Sequence, residues 1–146
     1  CIVLKANWSK LCLKCIKKAN DEQLKQAIEK HLEETKEHKN RLKEVCDDLG
    51  IKPTGEECKA MKGLIEEAES FLEEDADGDV RDAGIIAEAQ RVEHYEISGY
   101  GTVIRYAKEL GHEKAAKTLQ KTLDEEYKTD QNLTKMAESR LNRKAK

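Results

Sequence analysis

The sequence predicts an all-α fold, an antiparallel four-helix bundle with an additional helix, from three observations. Charged residues make up 39% of the 146-residue chain and aromatic residues only 4%, whereas strands favour aromatic and β-branched side chains. Apolar residues recur at spacings of three and four, which places them on one face of a helix. A single Pro and eight Gly leave long stretches without a helix breaker. We therefore expect one helical domain over residues 1–146.

Capping and helix-breaking residues predict where the helices begin and end. Asn20 or Asp21 can cap the second helix, because a short polar side chain there accepts hydrogen bonds from free N–H groups. Glycines and the lone proline interrupt the chain within residues 48–55. Gly99 and Gly101 lie inside the fourth helix, where we expect them to allow close packing or a slight bend. The predicted helices span about residues 1–18, 21–47, 56–74 (the additional one), 79–110 and 113–141.

Charge, hydropathy and cysteine content exclude several classes of protein. The net charge of −3 combines basic and acidic residues along the whole chain, so we expect no nucleic-acid partner. The longest apolar run is far shorter than the roughly 20 residues of a membrane-spanning helix. No signal peptide is apparent, so we expect a cytoplasmic protein without a membrane partner. Five cysteines argue against a disulfide framework, and Cys12-x-x-Cys15 lacks the second pair of ligands that a zinc site requires.

Three predicted helices carry ionisable side chains at positions where helical periodicity expects core residues. An acidic side chain on an inward face is costly unless it is paired or bound to a cation. The same pattern on three helices therefore predicts a shared metal site. The stripes are Ala27, His31, Glu34, His38 and Leu42; Ala89, Glu93, Glu96, Tyr100 and Val103; and Leu119, Leu123, Glu126, Asp130 and Leu133.

The spacing of these side chains matches the metal sites of carboxylate-containing helical bundles. Such sites combine carboxylates with imidazoles three or four residues away on facing helices. Oxygen and imidazole ligands suit iron, manganese or zinc better than copper or calcium. In a chain this rich in charge, neighbours such as Glu33, Glu37, Asp124 and Glu125 are either solvated surface or alternative ligands, and His94 is a surface or supporting group. The candidate ligands are Glu34, His38, Glu93, Glu96, Glu126 and Asp130.

Several short motifs resemble a known family from about residue 17 to the C-terminus. They are HLEET at 31–35, CKAM at 58–61, GLIEEA at 63–68, VEHYEI at 92–97, YGT at 100–102, LG at 110–111, KAA at 114–116, LDEE at 123–126 and TD at 129–130. Together they resemble the bacterial ferritin-like proteins of the YciE/YciF type. The resemblance implies a ferritin-like bundle that is usually dimeric, serves in stress responses and has no established reaction.

The resemblance also implies a rubrerythrin-like metal position, with two iron ions in the family and the six candidate ligands at matching positions. Members of the family vary at the position of His38. We therefore expect a non-haem metal-binding protein that handles iron or peroxide and forms a homodimer. The alternative is a metal-free helical scaffold that dimerises or binds a partner through an exposed face.

The first helix departs from the family pattern, in which it supplies a Glu ligand. Lys5 lies opposite that Glu, and codons can be chosen for residues 1–15 that, read two bases later, encode the family-like peptide YCVESKLVKALPKM. We hypothesise that residues 1 to about 15 result from a frameshift. Leu4, Trp8, Leu11 and Cys15 still form an apolar stripe that can cover the bundle. An inward-facing Lys5 is expected to pair with Glu34 or Glu93 and to leave a weakened, mononuclear or empty site.

Overall fold

The computed structural model describes residues 2–53, 55 and 57–145. It confirms the predicted all-α fold, and these residues include no strand. A π-helical segment at Ala137–Leu141 continues the last long helix of the bundle. The α-helices are α1 (Ile2–Lys18), α2 (Glu22–Asp48), α3 (Lys59–Glu73), α4 (Gly78–Glu109), α5 (Glu113–Met136) and the short α6 (Asn142–Lys144).

Two acidic side chains, the partly exposed Asp21 and the buried Asp82, fix the end of the bundle at which α2 and α4 begin. Asp21 caps α2 as predicted, because its side chain accepts a hydrogen bond from the Leu24 N–H. Asp82 of α4 accepts the N–H groups of Asn20 and Asp21 at 2.7 and 2.8 Å. Arg140, in the π-helical segment, pairs with Asp21 at the same end. The starts of α2 and α4 therefore lie together beside the end of the chain.

The long helices α1, α2, α4 and α5 form the antiparallel bundle, and α3 is the additional helix. Short turns join α1 to α2 and α4 to α5, and Gly111 in the second turn has a φ of 76°, which favours glycine. Lys114 at the start of α5 pairs with Asp48 at the end of α2 at 2.6 Å, so these helices also run antiparallel. The connection from α2 to α4 crosses the length of the bundle and contains α3, which packs on α1 and α4.

The glycines of α4 lie in two different environments, a close contact with α3 and an exposed face of the helix. A Cβ added at Gly84 would lie 1.9 Å from Cζ of Phe71, so glycine lets α3 approach α4 there. The expected close packing at Gly99 and Gly101 is wrong for the described residues, because nothing lies within 4 Å of a Cβ at either position. The face of α4 that carries Gly99 points away from the bundle, whereas Ile104 on the opposite face is buried. We call Gly99, Val103, Tyr106 and Leu110 the α4 surface stripe; Val103, predicted to face inward, is 48% exposed.

Two apolar clusters fill the bundle and leave a polar layer between them. One cluster contains Trp8, Leu11 and Ile85 and includes the packing of α3. The other lies towards the Gly111 turn and contains Ile104 and Leu119. None of the described helices is long and apolar enough to cross a membrane.

Candidate metal centre

Six buried ionisable side chains from four helices meet between the two apolar clusters, and we call them the polar centre. Each is at most 7% exposed. Spacings of three or seven residues place those from one helix on the same face. The structure thus brings together four of the six candidate ligands and adds two residues that were not among them. The members are Lys5 from α1, His31 and His38 from α2, Glu93 and Glu96 from α4, and Glu126 from α5.

Lys5 fills one side of the polar centre, which we call the Lys5 half. Its Nζ donates hydrogen bonds to Glu96 Oε2 at 2.9 Å and Glu126 Oε1 at 2.5 Å, and it lies 3.2 Å from His38 Nδ1. The ring centroid of Tyr100 is 5.5 Å from the same nitrogen. The prediction that Lys5 pairs with Glu34 or Glu93 is wrong, because α1 places its side chain between α4 and α5 on the other side of the centre.

The other side of the polar centre, the His31 half, consists of His31, Glu93 and the second oxygen of Glu126. One ligand atom of each residue lies within 4.8 Å of the others, and His31 Nε2 is 3.0 Å from Glu93 Oε1. Trp8 donates its indole N–H to His31 Nε2 at 3.0 Å, which leaves the imidazole proton on Nδ1. Within the described residues, both oxygens of Glu93 and Oε2 of Glu126 are buried and accept no hydrogen bond from an N–H group. The hydrogen bond on this side joins the two carboxyl groups to each other.

The two carboxyl groups of the His31 half differ in protonation. Burial, followed by the charge of Glu126 and the hydrogen bond with its carboxylate, raises the pKa of Glu93 well above its ordinary value and favours the protonated form. Burial acts in the same direction on Glu126, but the charge of Lys5 and the hydrogen bond from Glu93 outweigh it and hold the pKa of Glu126 well below its ordinary value. Burial also lowers the pKa of His31, which keeps its imidazole neutral. This half therefore holds one negative charge and a neutral imidazole whose lone pair accepts the Trp8 N–H.

The charge of Lys5 is stabilised by the carboxylates around it. Burial by itself lowers the pKa of Lys5, but the charges of Glu96 and Glu126 outweigh it and raise that pKa above the ordinary value. Burial raises the pKa of Glu96 to about 7, although Lys5 opposes the change. At neutral pH the Lys5 half thus contains a full positive charge, the ionised Glu126 and a partly ionised Glu96.

Two candidate ligands from the sequence lie outside the polar centre. Glu34 is partly exposed, and its Oε2 is 3.9 Å from His31 Nδ1. Asp130 Oδ1 accepts a hydrogen bond from Gln90 Nε2 at 2.9 Å and lies 3.0 Å from His94 Nε2. The structure therefore places Glu34 beside the centre and Asp130 in a separate polar group nearer the surface.

A second layer of charged residues holds His38 in place. His38 Nε2 is 2.8 Å from Glu125 Oε2, and Arg41 donates to both Glu125 oxygens at 2.6 and 3.1 Å. Because Lys5 has only donors, His38 Nδ1 accepts from it and Nε2–H donates to Glu125. Burial raises the pKa of Glu125, but the hydrogen bonds from Arg41 and His38 outweigh it and lower that pKa. Glu125, which the sequence left open as surface or ligand, supports His38.

His31 is the member of the His31 half that the predicted ligand set lacks. The signal was present, because His31 lies on the same predicted stripe as Glu34 and His38. The rotation of α2 turns His31 inward, at 4% exposure, and leaves the Glu34 side chain 26% exposed. A small rotation of α2 about its axis therefore decides whether His31 or Glu34 faces the polar centre.

A cavity of about 60 Å³ reaches the His31 half from the surface. Its lining includes His31 and Glu93 at the inner end and the exposed Lys128 at the outer end. A space of this size holds a few water molecules or a hydrated ion. Cys12 and Cys15 also line it as free thiols. Burial raises the pKa of Cys12 well above its ordinary value and that of Cys15 to about 12, so both stay protonated.

The donor set of the polar centre fits one metal ion but not two. The buried carboxyl oxygens of Glu93 and Glu126 and the imidazole of His31 are the ligand types that divalent iron, manganese and zinc take. Binding requires Glu93 to lose its proton and Trp8 to release the His31 lone pair. The remaining ligand-type atoms, from His38, Glu96 and Glu126, already surround the Lys5 ammonium. A pair of metal ions therefore does not fit this chain.

Comparison with known proteins gives one family and several close structures. The family model described as a domain of unknown function, DUF892, matches residues 5–146. Protein YciF of Escherichia coli is 45% identical over 133 residues, which cover 90% of this chain and 80% of that protein. The crystal structure of the stress protein YciF from E. coli superposes with a TM-score of 0.91 at 41% identity, covering 97% of this chain and 89% of that one. YcfI of Rhodopseudomonas palustris, provisionally described as a structural protein, superposes with a TM-score of 0.88 at 42% identity. The match covers 91% of this chain and 85% of that one.

Proposed function

Because the chain belongs to the DUF892 family, which includes the YciF stress protein, we propose that it is a metal-binding stress-response protein with one metal position. The proposed ligands are His31, Glu93 and Glu126. The observation that carries the proposal is the pair of fully buried carboxyl groups of Glu93 and Glu126, which receive no N–H donor on the side that faces the His31 imidazole. Buried polar groups are normally paired, and a divalent cation supplies the missing partner for the two carboxyl groups and replaces Trp8 at His31.

Iron is the metal we propose first, with manganese and zinc as alternatives. One imidazole and two carboxylates suit all three ions, and the resemblance to ferritin-like proteins favours iron. Bound iron supplies redox chemistry towards peroxide or oxygen, which is compatible with a role in iron or peroxide handling. The residues of this chain supply the ligands, the cavity beside Glu34 and the apolar surroundings that keep bulk water away from the centre.

Metal titration of tag-free protein tests the proposal. We expect calorimetry and elemental analysis to give one equivalent of Fe²⁺ (under anaerobic conditions), Mn²⁺ or Zn²⁺ per wild-type chain. Glu93→Gln should abolish this binding, because the amide removes a carboxylate ligand from the His31 half. Absence of binding for all three metals, or unchanged binding in Glu93→Gln, would contradict the proposed site.

Asp130→Asn is the matched control for the ligand assignment. Asp130 was a candidate ligand, yet its side chain contacts Gln90 and His94 instead of the polar centre. We expect this variant to bind the same single equivalent with unchanged affinity. Loss of binding in Asp130→Asn would show that Asp130 moves into the centre when metal is present.

A metal-free scaffold that forms homodimers is the second candidate function, and the α4 surface stripe favours it. Tyr106 and Leu110 are 63% and 72% exposed, and Val103 lies between them and Gly99 on one face. The missing side chain at Gly99 leaves room for another helix to approach. Exposed apolar side chains aligned on one helix are typical of protein contact surfaces, and two copies of the stripe can pack against each other.

Light scattering during size-exclusion chromatography tests dimerisation through the stripe, and the metal titration above separates the scaffold from the metal-binding candidate. A scaffold is dimeric with or without chelator, and Tyr106→Glu makes it monomeric, because a charge cannot be buried at that contact without a partner. Lys117→Glu on the exposed face of α5 is the control and leaves the mass unchanged. A wild-type monomer at micromolar concentration would rule out dimerisation through the stripe.

A further inference from the structure

The Lys5 half presents three converging acceptors to one cation, and that cation is part of the chain. A lysine ammonium has three N–H donors and no acceptor. Glu96 Oε2, Glu126 Oε1 and His38 Nδ1 lie at 2.9, 2.5 and 3.2 Å from Nζ. The number of acceptors thus equals the number of donors. The three distances are those of hydrogen bonds to an ammonium, longer than the roughly 2.0–2.2 Å of metal–ligand bonds.

The surroundings of Lys5 hold its charge in place. The residue is 1% exposed, and Trp8, Leu11 and Cys12 of the same helix are buried beside it in the apolar cluster. Withdrawal of the ammonium would expose apolar surface and leave Glu96 and Glu126 buried without their counter-charge, which is strongly unfavourable. A metal ion on this side would need the same oxygen and nitrogen atoms that Lys5 now contacts. Ion and ammonium therefore exclude each other.

We propose that Lys5 is a built-in cation that occupies the position of a second metal ion, so that the chain keeps this half of the centre neutralised without metal. One consequence concerns folding, because the Lys5 half needs no metal to pair its buried charges. A second concerns stoichiometry, because any metal uptake is confined to the His31 half. The proposed function concerns only the ion in the His31 half. The role of Lys5 does not depend on whether that ion binds.

Replacement of Lys5 by Leu tests the proposal by metal stoichiometry. Leu preserves an apolar stem but has neither the charge nor the reach of lysine, so it opens the position between His38, Glu96 and Glu126. Equilibrium dialysis against Mn²⁺ or Zn²⁺ should give one more equivalent per chain in Lys5→Leu than in the wild type. The double variant Lys5→Leu/Glu96→Gln should return to the wild-type number, because the opened position then lacks a carboxylate.

Lys14→Leu is the matched control on the same helix. Lys14 is exposed and pairs with Glu69 at the surface at 2.6 Å, so the variant loses the same charge without opening the centre. Its stoichiometry should equal that of the wild type. Equal numbers in Lys5→Leu and the wild type, or two equivalents in the wild type, would overturn the proposal.

The experiment separates failure of this inference from failure of the proposed function. A wild type that binds no metal beside a Lys5→Leu variant that binds one contradicts the proposed function and supports the role of Lys5. A wild type with one equivalent that Glu93→Gln removes supports the proposed function whatever Lys5→Leu does.

Amine labelling of the wild-type protein covers the case in which Lys5→Leu does not fold. Acylation of the native chain, followed by peptide mass spectrometry, should modify Lys5 at least about tenfold more slowly than Lys14, because a buried and paired amine reacts only after local opening. Equal labelling rates would show that Lys5 does not remain in the centre and would overturn the proposal.

Discussion

The two halves of the polar centre share Glu126 but differ in how completely their polar atoms are paired. In the Lys5 half, each of the three acceptors lies within 3.2 Å of the ammonium nitrogen. In the His31 half, three carboxyl oxygens are buried and receive no N–H donor among the described residues. The cavity also reaches the His31 half. The difference shows that one helix, α1, can close a polar site on one side while leaving its other side open for a ligand.

Glu126→Gln should break both halves at once and have the largest effect on stability. The change removes the charge that pairs with Lys5 and leaves a buried ammonium with only Glu96 as a carboxylate partner, which costs about 3–5 kcal/mol. Urea denaturation at pH 7 measures the loss. Asp124→Asn, on the exposed face of the same helix, is the control and should stay within about 0.5 kcal/mol of the wild type. Similar stability of both variants would mean that the Lys5–Glu126 pair is not buried as described.

Glu93→Gln should alter the pH dependence of stability through the His31 half. The pKa of Glu93 is raised in the folded chain, so its stabilising contribution is complete below the unfolded-state pKa and is lost as pH rises through the folded-state pKa. Gln cannot ionise and keeps the neutral form. The Tm of Glu93→Gln minus the Tm of the wild type should therefore increase by a few degrees as pH rises above the unfolded-state pKa of a glutamate, about 4.3, as measured by thermal melts with chelator.

Glu125→Gln is the control with the opposite sign. The pKa of Glu125 is lowered in the folded chain, so its contribution is present above the unfolded-state pKa and is lost as pH falls through the folded-state pKa. The Tm difference between this variant and the wild type should shrink towards acidic pH. A difference that is constant with pH for both variants would contradict the assigned protonation states.

Trp8→Phe should have a smaller effect and sharpen the role of the His31 half. The change removes the indole N–H that donates to His31 Nε2 at 3.0 Å, at a cost of about 1 kcal/mol for one hydrogen bond. Because the His31 lone pair becomes free, metal affinity should increase several-fold in a Zn²⁺ titration. Weaker binding in Trp8→Phe would indicate that Trp8 orients His31 for the metal and does not compete with it.

The frameshift hypothesis for residues 1 to about 15 stays a prediction that DNA sequencing can test. Codons that cannot encode a family-like first helix in another frame would contradict it. The structure adds that the present residues form a helix whose Trp8, Leu11 and Cys15 are buried. Whatever its origin, the segment packs as part of the bundle.

The sequence by itself determined the helices and the type of chemistry in the interior. Apolar spacing, the Asp21 cap and Gly111 depend on neighbours along the chain, so they could be predicted within a few residues. The same periodicity placed Glu93, Glu96 and Glu126 inside, because ionisable residues on an apolar stripe are conspicuous.

Only the tertiary structure decided which ionisable residues meet. The choice between His31 and Glu34 depends on the rotation of α2 against α5, and the position of Asp130 depends on Gln90 and His94 of α4. Lys5 has a side chain long enough to reach several partners, and only the packing of α1 between its neighbours selects Glu96 and Glu126 over Glu93. Contacts between distant parts of the chain fix these outcomes, because a shift of one residue in helix phase exchanges a buried group for an exposed one.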